Sequence, residues 1–231
     1  LGKTVTTEFA GFAPGPTCNP HDLSRTPGGS SSGSAAAVAD CMVALALGSQ
    51  TAGSTIRPGS FCGIVALKPQ FGAISRHGCM MMSATLDHVG LYARTVSDVA
   101  LLAGVLYAED PRDSTSGSVT AKELSAALDA HTDSKPRLGF VPTPFWTRMD
   151  KVARQAFEGF VDGLGDVERV ELPAEFSNAP DHVKTICDAE VAHHFTELYR
   201  EGADQFSEEF RAEFEQGRQI LAATYLDVMK A

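Results

Sequence analysis

Positive charge is scarce in this sequence. Lys and Arg number 19 against 29 Asp and Glu, a net charge of -10 at pH 7. No basic cluster stands out of the kind that phosphate backbones or anionic headgroups require, so neither nucleic acid nor a membrane is expected as a partner. Ordinary acidic solubility accounts for the charge. Long apolar runs are also missing: the longest, Cys41 to Leu47, is far too short to cross a bilayer. Five cysteines are present, Cys18, Cys41, Cys62, Cys79 and Cys187, an odd number with no CxxC pair. That disfavours a disulfide framework and suits a reduced, cytoplasmic setting. There is no GxxxxGK(S/T) phosphate loop and no GxSxG elbow, so neither a nucleotide-binding loop nor an α/β-hydrolase is licensed. The first residue is Leu1 with no secretory or transit pattern before the first motif, as in a sequence cut from a longer one.

What is present in abundance is small residues, concentrated between Pro27 and Pro58. Two clusters, Gly28 to Ser34 and Gly48 to Ser54, flank one apolar segment. A Gly/Ser run alone reads as a flexible linker. Here Ala35 to Ala39 reads as a short helix and Met42 to Leu47 as a buried strand, so both clusters are expected to be ordered loops at the ends of regular elements. Such loops can aim backbone N–H groups and serine hydroxyls at a ligand. Pro58 suits the first turn of a following helix.

The two clusters read GGSSSGSAAAVA from Gly28 and GSQTAGSTIRPGSFCGIVALKP from Gly48. They resemble the serine-rich motif and the nucleophile loop of the amidase signature family. The similarity continues through Thr85-Leu86-Asp87, Ala93 to Asp98 and, more weakly, Pro136 to Phe140. The resemblance implies an amidase that converts a small-molecule carboxylic amide to acid plus ammonia or amine through an acyl-serine intermediate. Carried onto matching positions, Ser54 is the nucleophile and Ser30, in a cis peptide, is the relay serine. Ser31 is the neighbouring hydroxyl that orients the relay, and the N–H groups of Thr51, Ala52, Gly53 and Ser54 form the oxyanion hole. No metal and no cofactor is implied. The family's catalytic lysine lies further upstream of the relay serine than this sequence reaches, and the family's C-terminal part is not matched before Ala231. The chain as written is therefore expected to be inactive or very slow.

Two other readings stay open beside this one. A glutaminyl/asparaginyl-tRNA amidotransferase subunit, which passes ammonia onward to an aminoacyl-tRNA, belongs to the same family. The stretch TVTTEFAGFAPGPTCNP after Lys3 does not resemble the NMDEFAMGSS-like segment of those subunits, which weighs against it. A catalytically dead fragment or binding module keeps the scaffold without the chemistry. A serine, histidine and aspartate triad built on His21, His77 or His88 is a further alternative.

The remaining chain reads as α/β, a mixed β-sheet core covered by helices with a helical C-terminal region. Residues 1–110 are expected to form the signature core and 111–231 its continuation, with Glu109 to Ser118 as the boundary. Lys3 to Phe9 and Ile64 to Leu67 read as strands, and Gly11 to Pro27 as an irregular loop holding His21 and Arg25. Thr95 and Asp98 cap a helix over Val96 to Leu106. Helices are expected over Ala121 to Ala130 and Met149 to Leu164, with strands at Arg137 to Val141 and Val167 to Leu172. Phe206, Phe210 and Phe214 form a helical stripe that Leu221, Tyr225 and Val228 continue.

Several tempting side chains have plainer explanations. Cys187, Glu190 and His194, with His193 beside them, share a helix face that could hold a metal, yet an amphipathic helix produces the same pattern. Lys3 and Lys68 match structural lysines of the family. Met80, Met81 and Met82 could border an acyl pocket or fill a core, and Phe12 and Trp146 define no substrate shape. Apolar surface left bare by absent segments would suit a second copy of the chain, a homo-oligomer.

Overall fold

The computed structural model describes residues 17–117 and 135–231. The expected strand over Lys3 to Phe9, the expected helix over Ala121 to Ala130 and Phe12 lie outside the described residues. The described residues divide into two compact units, one of residues 17–117 and 185–231 and one of residues 135–184.

In the first unit α1 (Ser32–Ala39) leads to β1 (Leu45–Gln50), α2 (Ile56–Phe61), β2 (Val65–Leu67), β3 (His88–Ala93) and α3 (Val96–Leu106). The sheet has the order β1-β3-β2, antiparallel throughout. Alternation along β3 divides the core between its two faces. Leu91 and Ala93 pack with Val99 and Ala103 of α3 and with Ile74 on one side. Tyr92 packs with Ala35 and Val38 of α1 and with Cys62 on the other. The Thr95 hydroxyl accepts from the N–H of Asp98 at 3.1 Å, satisfying one of the free donors at the start of α3 as the sequence suggests.

Two strands of this sheet differ most from the sequence reading. β1 begins three residues later than Met42 and runs through Gly48-Ser49-Gln50. Cys41, at φ 59°, turns the chain so that the N–H groups of Met42 and Val43 bond the carbonyl of Ala37. β1 is also a sheet edge and not a buried strand: Leu47 is 50% exposed. The second difference is β3, the central strand, which the sequence reading did not identify.

The second unit holds β4 (Leu138–Phe140), α4 (Lys151–Gly163) and β5 (Val167–Arg169), with β4 and β5 parallel as a crossover helix requires. Asp150 caps α4 through the N–H groups of Val152 and Ala153. Phe140, Trp146 and Phe157 pack together by their edges.

α5 (Ala179–His194) leads back into the first unit, followed by α6 (Thr196–Gly202), α7 (Glu208–Gly217) and α8 (Ala222–Lys230). The Phe stripe is core, as its spacing suggests: Phe210 and Phe214 are buried with Val191, Ala192 and Phe195. Phe214 stacks on Tyr199 at 4.0 Å between ring centroids. Among the described residues no helix is long and apolar enough to cross a membrane.

Candidate active site

The two small-residue clusters meet. Gly28, at φ +76°, turns the chain where a Cβ would stand 3.0 Å from the Cα of Pro58 and 3.1 Å from the Phe61 ring, so only glycine fits. The next peptide, Gly29–Ser30, is cis. Ser30, Ser31 and Ser32 follow, all buried. The N–H of Ser31 donates to the carbonyl of Ser54 at 3.2 Å, which joins the serine-rich loop directly to the loop after β1. The Ser31 hydroxyl accepts from the N–H of Ser49 at 3.1 Å and donates to its carbonyl at 3.2 Å. That hydroxyl therefore pairs with strand backbone instead of capping α1. Gly48 is small for the same reason: a Cβ there would lie 2.7 Å from both the Ser31 hydroxyl and the Tyr92 ring.

Ser54 itself is half-buried. Tyr92 adds a second donor to its carbonyl at 3.3 Å and reaches that of Thr55 at 3.0 Å. Burial pushes the Tyr92 phenol up to about 12, so it remains a donor at neutral pH. The Gln50 side-chain oxygen accepts from the N–H groups of Thr55 and Ile56 at 2.9 and 3.0 Å, satisfying the start of α2. Just before them, the N–H groups of Thr51, Ala52, Gly53 and Ser54 find no acceptor among the described residues. A half-buried hydroxyl beside four unpaired donors is a place where a developing oxyanion can be met.

Asp87 fixes the far end of this loop. Its carboxylate accepts from the Thr51 hydroxyl and from the N–H groups of Met82 and Ser83 at 2.7 and 3.1 Å. Asp87, Gln50 and Tyr92 were not singled out as site residues by the sequence. Gln50 lay inside the GSQTAGS run and Asp87 inside the Thr85-Leu86-Asp87 match, whereas Tyr92 carried no signal.

The other candidates lie elsewhere. His21 turns its Nε2 to the carbonyl of Cys62 at 2.9 Å. His88 sets its Nδ1 2.6 Å from the carbonyl of Leu86, and burial lowers its pKa. His77 is exposed. None of the three bonds Ser30, Ser31 or Ser54, so nothing in the geometry favours a histidine triad. Arg25 pairs with Asp22 at the surface, and Lys68 donates to the carbonyl of Pro69. Trp146 is part of the aromatic cluster of the second unit.

A cavity of about 850 Å³ has walls that include Leu45, Leu47, Met80, Met81 and Ser31, but neither Ser30 nor Ser54 borders it. Met82 points instead into the aromatic core of the C-terminal helices. Cys187 also packs there, while Glu190 accepts hydrogen bonds from hydroxyl groups. No group of three His, Cys, Asp or Glu side chains closes on a metal position among the described residues.

The sequence profile of the Amidase family matches residues 1–231. The chain belongs to the amidase family. This amidase-family chain is 45% identical over 165 residues to a glutamyl-tRNA(Gln) amidotransferase subunit from Gloeobacter violaceus, a match that covers 68% of the chain and 34% of that protein. Among solved structures, it resembles an inhibitor-bound protein from a vestigial complex described as revealing the origins of an s-triazine catabolic enzyme. The TM-score is 0.83 at 30% identity, over 97% of this chain and 48% of that one. The substrate complex of 6-aminohexanoate cyclic dimer hydrolase matches at TM-score 0.79 and 28% identity, over 99% and 50% of the two chains. The amidase-family chain thus spans a third to a half of the length of these relatives.

Proposed function

We propose that the chain carries the nucleophile half of an amidase site, with Ser54 as nucleophile, Ser30 as relay and the N–H groups of Thr51 to Ser54 as oxyanion donors. The observation that carries this reading is the junction of the two loops. The peptide following the cis bond donates to the carbonyl of Ser54, and the loop leading to Ser54 has four N–H donors with no acceptor among the described residues.

In the proposed reaction the Ser54 hydroxyl attacks the amide carbon while its proton passes to Ser30, whose own proton moves on to a base. The C–O bond forms and the carbonyl oxygen takes up the negative charge, facing the four N–H groups. The proton returns to the leaving nitrogen as the C–N bond breaks, releasing ammonia or an amine and leaving acyl-Ser54. Water, deprotonated along the same path, then cleaves the ester to the acid and restores the serine. The family's lysine is the base in this scheme and matches none of these 231 residues. The test therefore uses this chain beside one extended upstream. Release of ammonia or amine from small carboxamides by the longer chain, abolished by Ser54→Ala and cut at least about 10²-fold by Ser30→Ala, supports the reading. Turnover that survives Ser54→Ala refutes it.

A second reading, in which the chain is part of a tRNA amidotransferase, is favoured by the 45% identity to a component of such an enzyme. In that case a partner protein copurifies and glutamine is the amide consumed. Hydrolysis of simple carboxamides by the upstream-extended chain without a partner favours the first reading, with a cytoplasmic small-molecule amide as substrate.

A further inference from the structure

Glu190 is a buried carboxylate that the proposed chemistry does not use. It stands on α5, 8% exposed, and is surrounded by donors. One oxygen accepts from the Ser83 hydroxyl and, at 3.2 Å, from the N–H of Thr85. The other accepts from the Thr85 hydroxyl at 2.9 Å and from the Tyr225 hydroxyl of α8 at 2.6 Å. A buried charge costs several kcal/mol unless its lone pairs are met, and four donors meet these.

Three of those donors belong to one tight loop. Residues 83–87 are gripped from a second side by Arg76, whose guanidinium donates to the carbonyls of Ala84 at 2.8 Å and Asp87 at 3.0 Å. The same guanidinium reaches the Thr115 hydroxyl at 2.8 Å and lies 4.4 Å above the Phe71 ring. Inside the loop the Ser83 oxygen accepts from the N–H of Leu86 at 3.1 Å. The product of both grips is a fixed Asp87, and Asp87 holds the Thr51 hydroxyl at the head of the four unpaired donors.

We propose that Glu190 is a positioning residue for the Thr51–Ser54 loop, acting through Ser83 and Thr85 on Asp87 and through Asp87 on Thr51. The C-terminal helices, remote in sequence from both motifs, thereby set the aim of the oxyanion donors. This rests on the oxyanion role given to that loop above. Glu190 touches neither Ser54 nor the donors, so its effect is on their placement, where about 1 Å of displacement can cost on the order of 10²-fold in rate.

Glu190→Ala removes all four acceptor contacts. Glu190→Gln keeps the shape: its oxygen can face the Thr85 N–H, while its amide nitrogen donates to the Thr85 and Tyr225 hydroxyls, which can accept as readily as donate. Hydrogen exchange on the 231-residue chain reads the coupling directly. Expected is exchange at least about ten-fold faster at the N–H groups of Ser31 and Arg57, whose acceptors are the carbonyls of Ser54 and Gly53, and at residues 82–87 in Glu190→Ala, with α3 unchanged, and less than about three-fold in Glu190→Gln. Phosphonylation of Ser54 by a phosphonate in the upstream-extended chain, in which the Ser54 oxygen bonds phosphorus and its leaving group departs, reads the consequence: a maximal rate lower by about 10–100-fold in Glu190→Ala at nearly constant half-saturation, largely restored in Glu190→Gln. Should Glu190→Ala fail to fold, Tyr225→Phe and Thr85→Val each remove one donor and move both readouts the same way by a few-fold. Loosening of 82–87 with Ser31 and Arg57 at the wild-type rate overturns the proposal, as does a rate loss equal to the unfolded fraction. If wild type is not phosphonylated at Ser54, the oxyanion role fails by itself and the exchange result still decides the coupling.

Discussion

Replacing Gly48 by alanine probes the contact between the strand and the serine loop. The new methyl carbon would stand 2.7 Å from the Ser31 hydroxyl oxygen, 2.9 Å from its Cβ and 2.7 Å from the Tyr92 ring. Carbon neighbours pack at about 3.5–4.0 Å, so roughly 1 Å must be found on two sides at once. Neither side yields freely, because Ser31 is tied to both backbone groups of Ser49 and Tyr92 lies fully buried against α1 and Cys62. Overpacking of this kind costs about 1–3 kcal/mol. For a chain of this size each kcal/mol lowers Tm by about 2–4 °C, so thermal unfolding should shift by roughly 2–12 °C. The displaced groups are the two that hold the carbonyl of Ser54, and phosphonylation of Ser54 in the upstream-extended chain should fall by about 10²-fold at temperatures where the variant is folded. A variant with unchanged Tm and unchanged phosphonylation rate would refute the account of Gly48.

Three other changes have definite expected outcomes. Tyr92→Phe leaves the ring but removes a donor to the carbonyls of Ser54 and Thr55, each of which keeps a backbone donor, so it should cost about 0.5–1.5 kcal/mol in urea unfolding and slow phosphonate labelling of Ser54. Phe214→Ala opens a void in the C-terminal aromatic cluster and should cost about 3–5 kcal/mol in the same unfolding measurement. Burial pushes the Glu190 carboxyl up, but hydrogen bonds from Ser83, Tyr225 and Thr85 outweigh it and hold the pKa below the ordinary value. The unfolded chain then binds the proton more readily, so the contribution is complete above the ordinary glutamate pKa of about 4.3 and is lost as pH falls through the lower folded value. Denaturant midpoints between pH 7 and pH 3 should fall less steeply in Glu190→Gln than in wild type.

The motifs were readable because their information is local. Ser30, Ser31 and Ser54 sit in contiguous runs of small residues, and the cis peptide, the glycine turn and the close approach of the loops all require such residues nearby. The same smallness hid the sheet. Gly48-Ser49-Gln50 looks like a loop yet extends β1, because Ser31 approaches too closely for a side chain at Gly48. Gly90 interrupts the pattern of β3, because the Thr55 hydroxyl occupies the place of its Cβ. The strand that joins the other two was therefore invisible to an alternation rule. Glu190 was noticed for the wrong partners: Cys187 and His194 are its neighbours along the helix, whereas Ser83 and Thr85 reach it from more than a hundred positions away. No local pattern carries a contact of that separation, and the hydroxyls that satisfy Glu190 resemble any other surface serine or threonine in a sequence.

The central claim, that Ser54 is a nucleophile served by the loops that converge on it, is tested most directly by intact-mass measurement after incubation with a serine-reactive phosphonate, followed by peptide mapping. The account predicts one adduct, on Ser54, in a chain extended upstream to include the family's lysine, lost in Ser54→Ala and slowed in Ser30→Ala. The 231-residue chain alone should label slowly or not at all. An adduct on another serine, or one on Ser54 whose rate is indifferent to Ser30, would contradict it.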